Sequence, residues 1–114
     1  MKKIAALTAL LTLAALVSIQ AQVTLIPMDD TQTDHLKAYG IAFKALQMGK
    51  KVEWLLNYRG GSFVFDNNDE LASLCLIRGV ASQQIGSAGL ADIYRTIDVE
   101  NMERVTLEKP PVVS

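Results

Sequence analysis

The sequence predicts an α/β fold: a Rossmann-like, partial open sheet, mostly parallel, built on a βαβ unit. Three observations predict it. Val23-Thr24-Leu25-Ile26-Pro27-Met28 is apolar and β-rich, an amphipathic stretch follows as far as Met48, and Trp54-Leu55-Leu56 is apolar on successive residues. The last pattern buries both faces of a strand, as in a parallel sheet covered from both sides. Strand, helix, strand in that order is the βαβ signature.

Residues 1–21 precede this unit. Lys2-Lys3, a largely apolar run from Ile4 to Val17 interrupted only by Thr8 and Thr12, and a small residue before Gln22 read as a secretory signal peptide cut after Ala21. The apolar run is short for a bilayer span, although an uncleaved N-terminal anchor is the other reading of the same residues. No Cys stands beside the cut, so a lipoprotein anchor is not supported. The expected location is outside the cytoplasm, periplasmic or extracellular, with no membrane attachment after cleavage.

The leader holds Lys2 and Lys3 and no acid, which leaves nine basic against twelve acidic side chains, net −3. That balance, with no basic stripe, argues against a nucleic-acid partner or an anionic lipid surface. A lone Cys75 excludes an internal disulfide, and a lone His35 excludes a histidine-rich metal site within the chain. Residues 22–114 suit one small domain or part of one.

The first strand ends in Asp29-Asp30-Thr31. Thr31 with Asp34 resembles a capping box, so a helix is expected from about Gln32 to Met48, stopped by Gly49. Leu36, Tyr39, Phe43 and Leu46, with alanines 38, 42 and 45, fill one half of its wheel and are expected to pack on the sheet. Lys51 to Asn57 is the second strand. Tyr58-Arg59-Gly60-Gly61 leads to a short β-rich piece, Ser62 to Phe65. Asn67 with Glu70 opens a helix carrying Leu71, Leu74 and Cys75 and ending at Gly79. Val80 to Ile85 is expected as a third parallel strand at an edge, Ala88 to Ile97 as a helix, and Arg104 to Glu108 as a strand that runs into Pro110-Pro111.

In an open α/β sheet, ligands sit beyond the carboxyl ends of the strands. The βαβ order brings two such ends together, and with them the candidate ligand-binding residues Asp29, Asp30, Asn57, Arg59 and Gly60. Each has a plainer reading. Asp29 and Asp30 cap a helix equally well. Gly60-Gly61 suits a turn between Trp54–Tyr58 and Ser62–Phe65. No phosphate-loop motif is present, Cys75 lies on an apolar helical stripe with no base near it, and His35 sits in a first helical turn. No catalytic residue, metal ligand or cofactor site is expected.

The stretches Leu25 to Gly40 and Val52 to Phe63 resemble the N-terminal part of a family of exported bacterial proteins commonly labelled asparagine synthetase B. The likeness covers most of residues 22–114. Members are several times longer, so the resemblance implies a missing C-terminal part as a partner. It transfers no catalytic residue: Lys2 stands where glutamine-dependent synthetases carry Cys after the initiator Met. Arg59-Gly60-Gly61-Ser62-Phe63 also lacks the Asp-Ser of their Ser-Gly-Gly-x-Asp-Ser loop for ATP.

Two functions are therefore expected. One is an exported ligand-binding or structural half of a larger protein, with a small molecule as a possible ligand. The alternative, carried by the resemblance, is part of an amidotransferase-like or hydrolytic enzyme acting on asparagine- or glutamine-type amides. With three or four strands and few covering helices, the chain is further expected to expose part of its sheet and to be marginally stable alone.

Overall fold

Every residue from Ser62 to Phe65 is buried, and the reason is the segment's position: it runs through the middle of the sheet. The computed structural model describes residues 22–109. The elements are β1 (Gln22–Ile26), α1 (His35–Gln47), β2 (Val52–Leu55), a 3-10 turn (Tyr58–Gly60), β3 (Ser62–Asp66), α2 (Asp69–Arg78), β4 (Gln83–Gly86), α3 (Ser87–Val99) and β5 (Arg104–Leu107). The five strands lie in the order β4-β1-β3-β2-β5, and every neighbouring pair is antiparallel.

This overturns the Rossmann-like, mostly parallel sheet. β1 and β2 do point the same way, since each is antiparallel to β3, but β3 lies between them and takes their backbone groups. The cause is the turn after β2. Arg59, Gly60 and Gly61 all adopt positive φ (47°, 80° and 95°), which reverses the chain at once and pairs β3 with the strand just completed. The turn reading of Gly60-Gly61 is the one the structure adopts. The two-faced apolar pattern, taken as a sign of parallel strands, is met instead by an antiparallel sheet with helices on both sides.

Alternation along the strands sorts the core into two layers. Ile26, Val52, Phe63 and Phe65 face α1 and α2, meeting Ala38, Ile41, Ala45, Leu71 and Cys75. Leu25, Leu55 and Val64 face α3, meeting Ile93 and Ile97. Each fully buried Leu or Ile contributes about 1.5–3 kcal/mol relative to exposure. A five-stranded antiparallel sheet, its central strands packed by helices on both faces, replaces the expected partial sheet. Among the described residues, no buried side-chain nitrogen or oxygen lacks a hydrogen-bond partner.

α1 differs from its expected face. The buried stripe is Ala38, Ile41, Ala42, Ala45 and Leu46, whereas Leu36 is 81% exposed and Tyr39 49%. Small residues bring the helix axis close to the sheet, and the bulky ones are displaced to its flank. Asp34 is the N-cap, accepting from Lys37 N (3.0 Å), so the helix begins later than the Thr31 box implied. α2 is capped by Asn68, which accepts from Leu71 N (3.0 Å), one residue beyond Asn67. The expected third parallel strand is instead β4, an antiparallel edge beside β1, and β5 is the other edge, beside β2. Residues 1–21 and 110–114, with the expected signal peptide and the Pro110-Pro111 ending, lie outside the described residues. Among the described residues, no helix is long and apolar enough to cross a membrane.

Candidate functional site

Because β1 and β2 run the same way, the segments that follow them emerge at the same end of the sheet. Arg59 Nε donates to Asp29 Oδ2 at 2.7 Å, joining the two strand ends directly. Arg59 Nη2 donates to Thr31 Oγ1 (3.0 Å), and Nη1 reaches Gln83 Oε1 (3.3 Å) beside β4. Thr31 in turn donates its hydroxyl (2.6 Å) and its backbone N–H (3.1 Å) to Asp29 Oδ1. The Arg59 guanidinium, with Thr31 second, holds the Asp29 carboxyl well below the usual carboxylate range.

Gly60 completes the junction. A Cβ there would lie 2.5 Å from Met28 O and 2.7 Å from Met28 C, so the turn backbone rests directly on the end of β1. Met28 N–H donates to Arg59 O (3.0 Å) across the same contact. The structure thus brings Asp29, Arg59 and Gly60 together. It does not gather the other two candidates: Asp30 is exposed, and Asn57 is exposed and makes no capping bond with its side chain. His35 is exposed in the first turn of α1, as a solvated helix histidine would be, and its Nε2 lies 2.9 Å from Met28 O and 3.1 Å from Asp29 O. Both neighbours accept, so this nitrogen carries the proton. Buried Gln32 braces the loop from behind, donating to Pro27 O (2.8 Å) and Ala81 O (3.0 Å) and accepting from Ala81 N (2.8 Å).

A second feature lies on the α1 side of the sheet. α1 does not cover the β2–β5 end, which leaves a groove of about 600 Å³ lined by Tyr39, Phe43, Leu46, Trp54, Phe63 and Leu107. Trp54 stacks on Phe63 (5.9 Å between centroids), and Tyr39 meets Phe63 edge-on (5.6 Å). Trp54 Nε1 is already spent on Gly61 O (3.2 Å), so the aromatic floor offers little polarity. The sequence pattern predicts Tyr39, Phe43 and Trp54 in the core. The available signal was the excess of large residues on the flank of a helix whose central stripe is alanine.

Sequence reasoning also missed a cluster on the α3 side. Tyr94 donates its hydroxyl to Glu53 Oε2 (2.5 Å), and the Arg104 guanidinium stacks 4.0 Å above the Tyr94 ring. Burial, with the Glu53 carboxylate second, pushes the Tyr94 hydroxyl up to about 12. Glu53, a single charge between Val52 and Trp54 in an otherwise apolar strand, was the legible hint.

None of these groups forms a nucleophile–base couple. Cys75 is buried, and burial pushes its thiol up. Ser62 is buried and donates to Tyr58 O (2.9 Å). Among the described residues, no three His, Cys, Asp or Glu side chains are placed to hold a metal ion. Fold and site together define a three-layer domain: an antiparallel sheet with two helices on one face and one on the other. No protein family, curated protein or solved structure matches the chain.

Proposed function

We propose that this chain is a binding module of an exported protein, that its ligand is apolar, and that the ligand occupies the Tyr39–Trp54–Leu107 groove. The observation that carries this reading is the division of labour between the two features. The polar strand-end residues satisfy one another, Asp29 with Arg59 and Thr31, and so act as scaffold. The groove, by contrast, presents aromatic and aliphatic side chains to an open space of about 600 Å³. Its volume falls in the range of small-molecule sites. Export rests on the character of residues 1–21, and a longer parent protein on the resemblance described above.

Trp54 is the chain's single tryptophan and lines the groove, so its emission reports occupancy. Anilinonaphthalene sulfonate should bind saturably and change Trp54 emission, and Phe43→Asp should abolish the response. Arg59→Gln should leave it unchanged at temperatures where that variant is folded. A response that is absent, or indifferent to Phe43→Asp, refutes the groove reading. Release of ammonia from glutamine or asparagine by the purified chain would establish the amidotransferase-like or hydrolytic alternative in its place.

A further inference from the structure

We infer that the free edge of β5 pairs with the same edge of a second copy of this chain, in one antiparallel register centred on Thr106. The backbone settles which atoms are free. Val105 is paired with Trp54, and Leu56 N–H donates to Glu103 O (3.0 Å), so residues 103, 105 and 107 turn their backbone groups inward to β2. By alternation Arg104 and Thr106, and Glu108 in continuation, turn theirs outward, and among the described residues β5 has no strand beyond it. A second antiparallel strand must set outward residues against outward residues, which leaves only registers that differ by steps of two.

Charge selects among those registers. The edge reads Glu103-Arg104-Val105-Thr106-Leu107-Glu108-Lys109. With Thr106 opposite Thr106 of the second copy, Arg104 faces Glu108 and Glu103 faces Lys109, each twice by symmetry. Val105 faces Leu107 on the groove side, where Val105 is 40% exposed. A shift of two in one direction sets Glu103 against Leu107 and Arg104 against Thr106. A shift in the other sets Val105 against Lys109. Only the Thr106-centred register pairs every charge with its opposite and the apolar residues with each other. Such an edge is self-complementary, as a two-fold interface requires. Arg104 already leans on Tyr94, and Glu108 lies 3.7 Å from Lys51, so the cross-copy charges join existing pairs and set register more than affinity. Pro110 and Pro111, which follow Lys109 in the sequence, have no N–H to give.

The proposal goes beyond the groove ligand and fails separately from it, since Trp54 emission reads the ligand and sedimentation reads the edge. Sedimentation of the full chain over a range of concentrations should show a monomer–dimer equilibrium. Glu103→Lys, which sets Lys against Lys109, should weaken the dimer about tenfold. Adding Lys109→Glu to it should restore the equilibrium to within about twofold. Thr106→Cys should cross-link two copies on mild oxidation, because directly opposed residues of such a pair lie about 5.5 Å apart, within disulfide reach. Wild type, whose Cys75 is buried, should not cross-link. Should Glu103→Lys lose its circular dichroism, the Thr106→Cys result still decides. A chain that stays monomeric at every concentration overturns the proposal. So does a dimer that tolerates Glu103→Lys and leaves Thr106→Cys uncross-linked.

Discussion

Replacing Gly60 by alanine tests the junction between β1 and the β2–β3 turn at its tightest point. Two penalties arise. The residue sits at φ +80°, and holding an L-residue there costs about 1–2 kcal/mol. The new methyl would also lie 2.5 Å from Met28 O and 3.0 Å from Asp29 N. Both are backbone atoms inside the core margin, so no flexible side-chain tip can yield, and the turn must lift off β1. That lift strains the Met28 N–H to Arg59 O bond and the Arg59–Asp29 ion pair. Together the expected loss is about 2–4 kcal/mol, or about 10–25 °C in Tm for a domain of this size. Gly49→Ala is the control: its φ is +81°, but nothing lies within 4 Å of the added methyl, so only the backbone penalty of about 1–2 kcal/mol applies. Urea unfolding followed by Trp54 emission and far-ultraviolet circular dichroism measures both variants in the full chain. Equal losses in the two would refute the reasoning, because the clash would then contribute nothing.

Two further outcomes concern pH. Asp29 titrates below its unfolded value near about 3.9, so the stability it contributes is present above that pH and is lost as pH falls through the lower folded value. Asp29→Asn should therefore be less stable than wild type at neutral pH yet lose less on acidification between about pH 4 and 2; parallel acid limbs would disprove the role of the Arg59 contact. Tyr94 is the opposite case. Its folded value of about 12 lies above the unfolded value, so its contribution is present below about pH 10 and is lost as pH rises through the folded value. Absorbance titration of the three tyrosines should show one ionising late, and Tyr94→Phe should remove that step; simultaneous ionisation of all three would count against the half-buried Glu53 contact.

Much of the local structure was legible because it depends on neighbours in sequence. Gly79 stops α2 where expected, in the left-handed conformation, and α3 buries Ile93 and Ile97 at the spacing the sequence shows. Strand order was not legible, for a physical reason. Two-faced burial of Val52, Leu55, Phe63 and Val64 records only that helices lie on both sides, and an antiparallel sheet meets that condition as well as a parallel one. The information lay in Arg59-Gly60-Gly61, whose run of positive φ turns the chain back immediately and makes β3 the neighbour of β2. The meeting of Asp29 with Arg59 survived this error. It requires only that β1 and β2 share a direction, which an inserted strand between them preserves. Asn57 and Asp30 were grouped with them by adjacency in sequence, and their side chains leave the junction for solvent.

The insertion of β3 also sets an order of assembly. β2 and β3 form a hairpin across a short turn, so their pairing closes a small loop. β1 pairs on both sides with chain that comes far later: Val23 with Asp66 and Gln22 with Gly86. Closing such loops costs more chain entropy, and β1 cannot dock before the strand it flanks exists. While the chain is being synthesised, β1 is thus an orphan that waits for its own middle. An apolar segment that must wait is exposed to wrong partners.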